Sequence, residues 1–91
     1  MEPGTLIDGI PVNPVLPEGF WDRDNARRPA GHARWRNRPF VLTVLNDAWP
    51  GGFRFDTYCL DGGAWDRPTA WGKFGTLEEA IACAKHGPAW R

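Results

Sequence analysis

The sequence predicts an α+β fold: a small three-stranded antiparallel sheet in β-β-β-α order, one C-terminal helix packed on one face, and an extended Pro-rich N-terminal arm. Three observations carry this. A capped, amphipathic helix pattern runs from Thr76 to Gly87. Two strand-like runs, 39–46 and 53–60, flank a Trp-Pro-Gly-Gly segment. Pro3, Pro11, Pro14 and Pro17, with Gly4, Gly9 and Gly19 between them, break any regular helix in the first 20 residues.

The helix is the best-specified element. Thr76 stands at the N-cap position and Glu79 three residues later, the spacing of a capping box. Glu78 and Glu79 put negative charge at the positive end of the helix dipole. Leu77, Ala80, Ile81 and Ala84 form one apolar stripe, and its alanines let the helix approach a sheet closely. Lys85 and His86 occupy the last turn before Gly87 and Pro88 stop the helix. About ten residues of helix are marginal in water alone, so a packing surface is required.

Residues 39–46 supply part of that surface. Phe40, Leu42 and Val44 share one face, Val41, Thr43 and Leu45 the other, and both are mainly apolar, which suits a central strand. In 53–60, Phe53, Phe55, Thr57 and Cys59 alternate with Arg54, Asp56 and Tyr58. The intervening turn makes the pair an antiparallel hairpin. A second loop, 61–68, leads to a short third strand, 69–74. On this reading Phe40, Leu42, Val44, Phe53 and Phe55 meet the helix stripe.

The chain therefore divides into residues 1–38, an extended Pro/Gly-rich and then Arg-rich arm, and 39–91, the globular core. The arm's apolar residues, Leu6, Ile7, Ile10, Val12, Val15, Leu16 and Phe20, are too many for a solvated tail. They predict packing along the domain, with a short edge strand near 10–12. The competing reading is partial disorder.

Composition narrows function mainly by exclusion. The 91 residues make one domain, which buries roughly 60–65% of its unfolded surface. Charge balances at 11 bases and 11 acids, so net charge selects no partner. Its distribution is uneven: Glu2, Asp8, Glu18, Asp22 and Asp24 precede an acid-free segment holding Arg27, Arg28, Arg34, Arg36 and Arg38. Cys59 and Cys83 do not make a disulfide framework and read as reduced thiols. No secretory signal or membrane-spanning run is legible, so the cytoplasm is the expected compartment. His32 and His86 are isolated, and no C-x-x-C, H-x-x-x-H, P-loop or G-x-G-x-x-G pattern occurs. The sequence thus predicts no metal, no cofactor and no catalytic residue.

Two segments are candidate binding sites. Trp65, Asp66, Arg67, Trp71 and Lys73 gather aromatic, acidic and basic groups, the residue types that anchor protein interfaces. The plainer reading is a loop whose Asp66 bonds its own backbone while Trp71 covers the sheet. The basic segment Arg27, Arg28, Arg34, Trp35, Arg36 and Arg38 could hold nucleic-acid phosphates while the indole stacks on a base. Its plainer reading is a solvated loop paired with local acids. Six tryptophans are more than one small core buries, which favours a non-enzymatic interaction module acting through a protein partner. Nucleic-acid binding is the alternative.

The strand-to-helix junction also carries two resemblances. Gly72, Phe74, Thr76, Glu78, Glu79 and Ala80 resemble the Gly-x-Phe-x-Thr-x-Glu-Glu-Ala pattern of small uncharacterised bacterial domains, in which two or three strands precede the helix. That likeness spans 39–87 and implies a fold, not an activity. Trp71-Gly72-Lys73 is similar to the central Trp-Gly-Arg of WGR domains, which bind DNA ends beside poly-ADP-ribose polymerase catalytic domains. Here Lys73 replaces the arginine, and the further strand which that family places before its helix is missing.

Overall fold

The computed structural model describes residues 2–16, 20, 34–60 and 68–88. Five strands and one helix lie within them: β1 (Thr5–Ile7), β2 (Ile10–Val12), β3 (Phe40–Leu45), β4 (Phe53–Cys59), β5 (Thr69–Phe74) and α1 (Leu77–His86). The strands form one sheet in the order β1-β2-β3-β4-β5. All pairings are antiparallel except β2 with β3, which is parallel. The sheet is thus five-stranded and mixed, and the expected three-stranded antiparallel sheet with an extended arm is overturned.

The two added strands come from the arm. Ile7 pairs with Ile10 across a two-residue turn whose members, Asp8 and Gly9, have φ of 52° and 82°. Positive φ at both central residues is what a type I′ hairpin turn requires, and Asp-Gly is a preferred pair for it. In such a hairpin Ile7 and Ile10 bond each other, so the backbone groups of Leu6 and Pro11 face outward. Pro11 accordingly turns its nitrogen toward β3 with no hydrogen to donate. The parallel pairing is made one residue on, at Val12 opposite Val41.

Asn13 extends that junction. Its backbone N–H donates to the Val41 carbonyl at 2.7 Å. Its side-chain Oδ1 accepts from the Thr43 N–H at 2.7 Å, and its Nδ2 donates to the Thr43 hydroxyl at 3.0 Å. The amide side chain stands where the next strand residue's peptide group would. The backbone meanwhile leaves the sheet at a φ of 51°, which asparagine tolerates better than most residues.

The sheet buries both faces. On the helix side Val12, Val41, Ala80 and Ile81 form the buried cluster, with Ile7, Ile10, Phe55, Phe74 and Leu77 packed on it. On the other side Phe20, Phe40 and Leu60 are buried among Leu16, Trp35, Leu42 and Tyr58. The helix therefore meets Val41, not Phe40 and Leu42, which corrects the expected face of β3. Both faces of that strand are apolar, so alternation alone cannot orient it. Size does: the alanine stripe brings the helix so near that the buried Thr57 hydroxyl donates to the Ala80 carbonyl at 2.8 Å. The larger Phe40 ring of β3 packs instead on the other face, with Phe20, Trp35 and Tyr58. Phe55 faces the helix as expected, but Phe53, beyond the helix end, is 43% exposed.

The helix bounds follow their caps. Thr76 Oγ1 accepts from the Glu79 N–H at 3.2 Å. The Glu79 carboxylate takes the Thr76 hydroxyl hydrogen at 3.0 Å instead of reaching the cap's backbone N–H. At the other end Gly87, with φ of 90°, donates to the Cys83 carbonyl at 2.8 Å. No helix among the described residues is long and apolar enough to cross a membrane.

The two faces of β3 make a direct prediction. Val41 is fully buried and Leu45 is 80% exposed, although both side chains lie on the helix side of the strand. Val41→Ala is expected to cost about 2 kcal/mol in chemical denaturation, and Leu45→Ala less than about 0.5 kcal/mol. Equal costs would contradict this placement of the helix.

Candidate functional site

Of the first predicted site, Trp65, Asp66 and Arg67 lie outside the described residues. Trp71 and Lys73 are on β5, but they do not share an exposed surface. The β4–β5 register passes from Thr57 opposite Gly72 to Tyr58 opposite Ala70, so Trp71 is the extra residue of a bulge. A bulge breaks strict alternation and re-aims a side chain. Trp71 is turned to the helix side, where it borders a groove with Phe74, Cys83, His86 and Gly87, and it is 7% exposed. Strict alternation with Phe74 toward the helix would put it on the outer face, near Tyr58. Gly72 allows this packing, because a Cβ there would lie 2.6 Å from the Phe74 ring. Lys73 is exposed and stands opposite Asp56.

In the basic segment Arg27 and Arg28 lie outside the described residues, as does His32. Arg34, Arg36 and Arg38 are exposed, while Trp35 is half-buried. The segment is tied to the sheet by a parallel bridge between Arg36 and Leu60 and by the Asn37 N–H, which donates to the Leu60 carbonyl at 2.8 Å. The Trp35 ring meets Phe40 edge-on at 5.4 Å and Phe20 at 6.2 Å. The Arg38 guanidinium lies over it at 5.8 Å. Trp35 is thus a wall of the second core, and the stacking platform a base would need is already engaged. Trp49 is half-buried too, against Gly75. Trp21, Trp65 and Trp90 lie outside the described residues.

Sequence reasoning missed one polar constellation. Arg54, Asp56 and Tyr58 follow one another on the outer face of β4. Asp56 is 1% exposed, with Arg54 Nε at 2.7 Å from Oδ1, Arg54 Nη2 at 2.9 Å from Oδ2, and the Tyr58 hydroxyl 3.4 Å from Oδ2. A buried carboxylate needs such partners. The bidentate bond from Arg54 to Asp56 raises the guanidinium's pKa. Burial raises the Tyr58 hydroxyl above its ordinary 10.0, and the Asp56 charge adds to this. Both carboxylate oxygens are engaged, so the cluster fixes the strand's outer face. Its sequence signal was an acid facing Leu42 across a central ladder, a position where solvent alone does not satisfy a charge.

Cys59 is buried, and burial pushes Cys83 above its usual range, away from the reactive thiolate. No group of three His, Cys, Asp or Glu side chains that would hold a metal occurs among the described residues.

Exposed apolar surface is more informative. Leu45 and Phe53 are paired directly across β3 and β4, and they are 80% and 43% exposed. They form an apolar step where the sheet outruns the helix. Leu6 and Val15 are also exposed, at 64% and 85%. A separate groove runs between the β1–β2 turn and the helix, floored by Ile7, Leu77 and Ile81 and bridged by Lys85 and Asp8 at 3.6 Å.

Neither the family models, the curated proteins nor the solved structures contain a match to this chain. Its function must therefore be argued from its own surface.

Tyr58 is the chain's single tyrosine, so its ionisation can be followed by ultraviolet absorbance. The midpoint is expected above 10.0, because burial disfavours the phenolate. The sign for stability follows. The folded pKa is raised, so the contribution is intact below the unfolded pKa and is lost as pH climbs through the folded one. Tyr58→Phe should remove this part of the alkaline loss of stability. A midpoint at or below 10.0 would contradict the buried cluster.

Proposed function

We propose that this protein is a non-enzymatic interaction module, an accessory or regulatory protein that acts through a protein partner. The observation that carries the reading is the Leu45–Phe53 pair. Two large apolar side chains stand opposite each other and open to solvent at the end of the sheet. Isolated exposed apolar residues need no explanation, but a cross-strand pair forms a patch a partner can cover. The β3–β4 ladder holds the pair in place, so little ordering cost falls on binding. Lys73, exposed on β5 opposite Asp56, lies on the other face of the sheet and is not part of this patch. Cys59, buried, and Cys83, half-buried, form no disulfide, which suits a reducing compartment, and a cytoplasmic location belongs to the same proposal.

Nucleic-acid binding is the second reading, supported by the exposed Arg34, Arg36 and Arg38 on a segment fixed to the sheet. The engagement of Trp35 counts against base stacking in that mode.

Two measurements separate the readings. Affinity isolation is run in parallel with the wild-type chain and with Leu45→Lys/Phe53→Lys. The protein reading expects a partner whose binding weakens by roughly 1–3 kcal/mol for each hot-spot residue, with an unchanged circular dichroism spectrum. A partner held equally by both chains would move the contact elsewhere. Low-salt titration with single- and double-stranded DNA and RNA tests the other reading, which expects affinity to fall steeply with added salt. Tight, salt-sensitive binding lost in an Arg34→Ala/Arg36→Ala/Arg38→Ala variant would displace the protein-partner proposal.

A further inference from the structure

The β1–β2 hairpin is joined to the rest of the sheet differently from every other strand. β3, β4 and β5 are tied by antiparallel ladders of six and five matched positions, whereas β2 meets β3 at one position, Val12 opposite Val41. Pro11 has no N–H for β3. The junction is therefore completed by one residue, Asn13, through its backbone N–H and two side-chain hydrogen bonds to Thr43. A second link, Lys85 to Asp8 at 3.6 Å, joins the hairpin turn to the helix, and both its side chains are largely exposed. Salt screens such a pair.

Yet the hairpin closes part of the core. Val12 is 1% exposed and packs with Val41, Ala80 and Ile81, and Ile7 and Ile10 flank it. A narrow attachment thus holds down a buried apolar seat along the edge of β3.

We infer that the N-terminal hairpin is a releasable strap. It leaves β3 as one unit, by breaking the Asn13 junction, while the β3–β4–β5 ladders and the helix stay formed. Release uncovers Val41, Ala80 and Ile81 together with the backbone edge of β3. A detached two-stranded hairpin is at best marginally stable in water. The bonds inside it are therefore lost in the same event, including that from the Gly4 N–H to the Val12 carbonyl at 2.8 Å. Local opening of this kind draws on the least cross-linked part of a structure. This inference is independent of the Leu45–Phe53 contact, which lies at the far end of β3 from Val41.

The test is native-state hydrogen exchange on the full chain, wild type and Asn13→Ala. Reporters of the strap are the amides of Gly4 and residue 13, neither of which bonds the Asn13 side chain. Reporters of the body are the β3–β4 amides and those of Ala80 and Gly87. In the wild type the strap amides are expected to exchange together and faster than the body. In Asn13→Ala they should speed up by roughly tenfold or more, as the loss of two side-chain hydrogen bonds implies, with the body amides unchanged. The inference is overturned if strap and body exchange through a single opening in the wild type. It is also overturned if Asn13→Ala accelerates both groups by the same factor. Thr43 is excluded as a reporter, because its N–H loses its acceptor in the variant whatever the mechanism.

Discussion

The five-stranded sheet depends on the narrow junction, Val12 opposite Val41 with Asn13 beside it, that joins two antiparallel units. One unit is the β1–β2 hairpin, the other the β3–β4–β5 meander. Neither makes a satisfactory core alone. The meander would leave Val41 open beside Ala80 and Ile81, and the hairpin would leave Val12 in water. Parallel pairing at Val12 brings the two together, and the Asn13 amide carries the pairing one step past the point where the chain turns away. The helix then rests on both units, and the hairpin covers the part of it that carries Ala80 and Ile81.

A second constraint is that a sheet of this size must bury two faces with few residues. Under the middle of the helix Val12, Val41 and Thr57 admit it closely enough for Thr57 to bond the Ala80 carbonyl, while Phe55, Phe74 and Trp71 pack around it on the same side. On the other face Phe20, Trp35 and Phe40 meet edge to face and Tyr58 stacks on Phe40 at 6.0 Å. Asp56 on that face is accommodated because Arg54 and Tyr58 neutralise and bond it. Two indoles that seemed available for recognition, Trp35 and Trp71, are consumed by this packing. Among the described residues, the end of the β3–β4 ladder beyond the reach of the helix keeps a cross-strand apolar pair open, and there the binding reading rests.

Local signals were legible. The helix, its caps and three of the strands follow from capping residues, periodicity and turn composition, each confined to a few neighbouring residues. The strand near 10–12 was legible, but as an edge strand on an extended arm; Asp8-Gly9 adds β1 outside it, so β2 lies inside the sheet. Pro11 is compatible with that position because β1 does not use its nitrogen and the next donor on the β3 side, the Asn13 N–H, bonds β3, which a one-dimensional reading does not reveal. The face of β3 was not legible, since both its faces are apolar and only the partner's bulk decides. Trp71 was misplaced because alternation assumes no bulge. Alternation put Arg54, Asp56 and Tyr58 on one face, but it does not mark residues two positions apart as a buried ion cluster.

The account stands on the attachment of the hairpin to β3, and nuclear Overhauser contacts in solution test it most directly. Cross-peaks are expected between Val12 and Val41 and between the Asn13 side-chain amide and Thr43, with extended-strand chemical shifts over 5–7 and 10–12. Random-coil shifts through those residues, with neither contact present, would contradict it and return the chain to a three-stranded sheet with a loose arm.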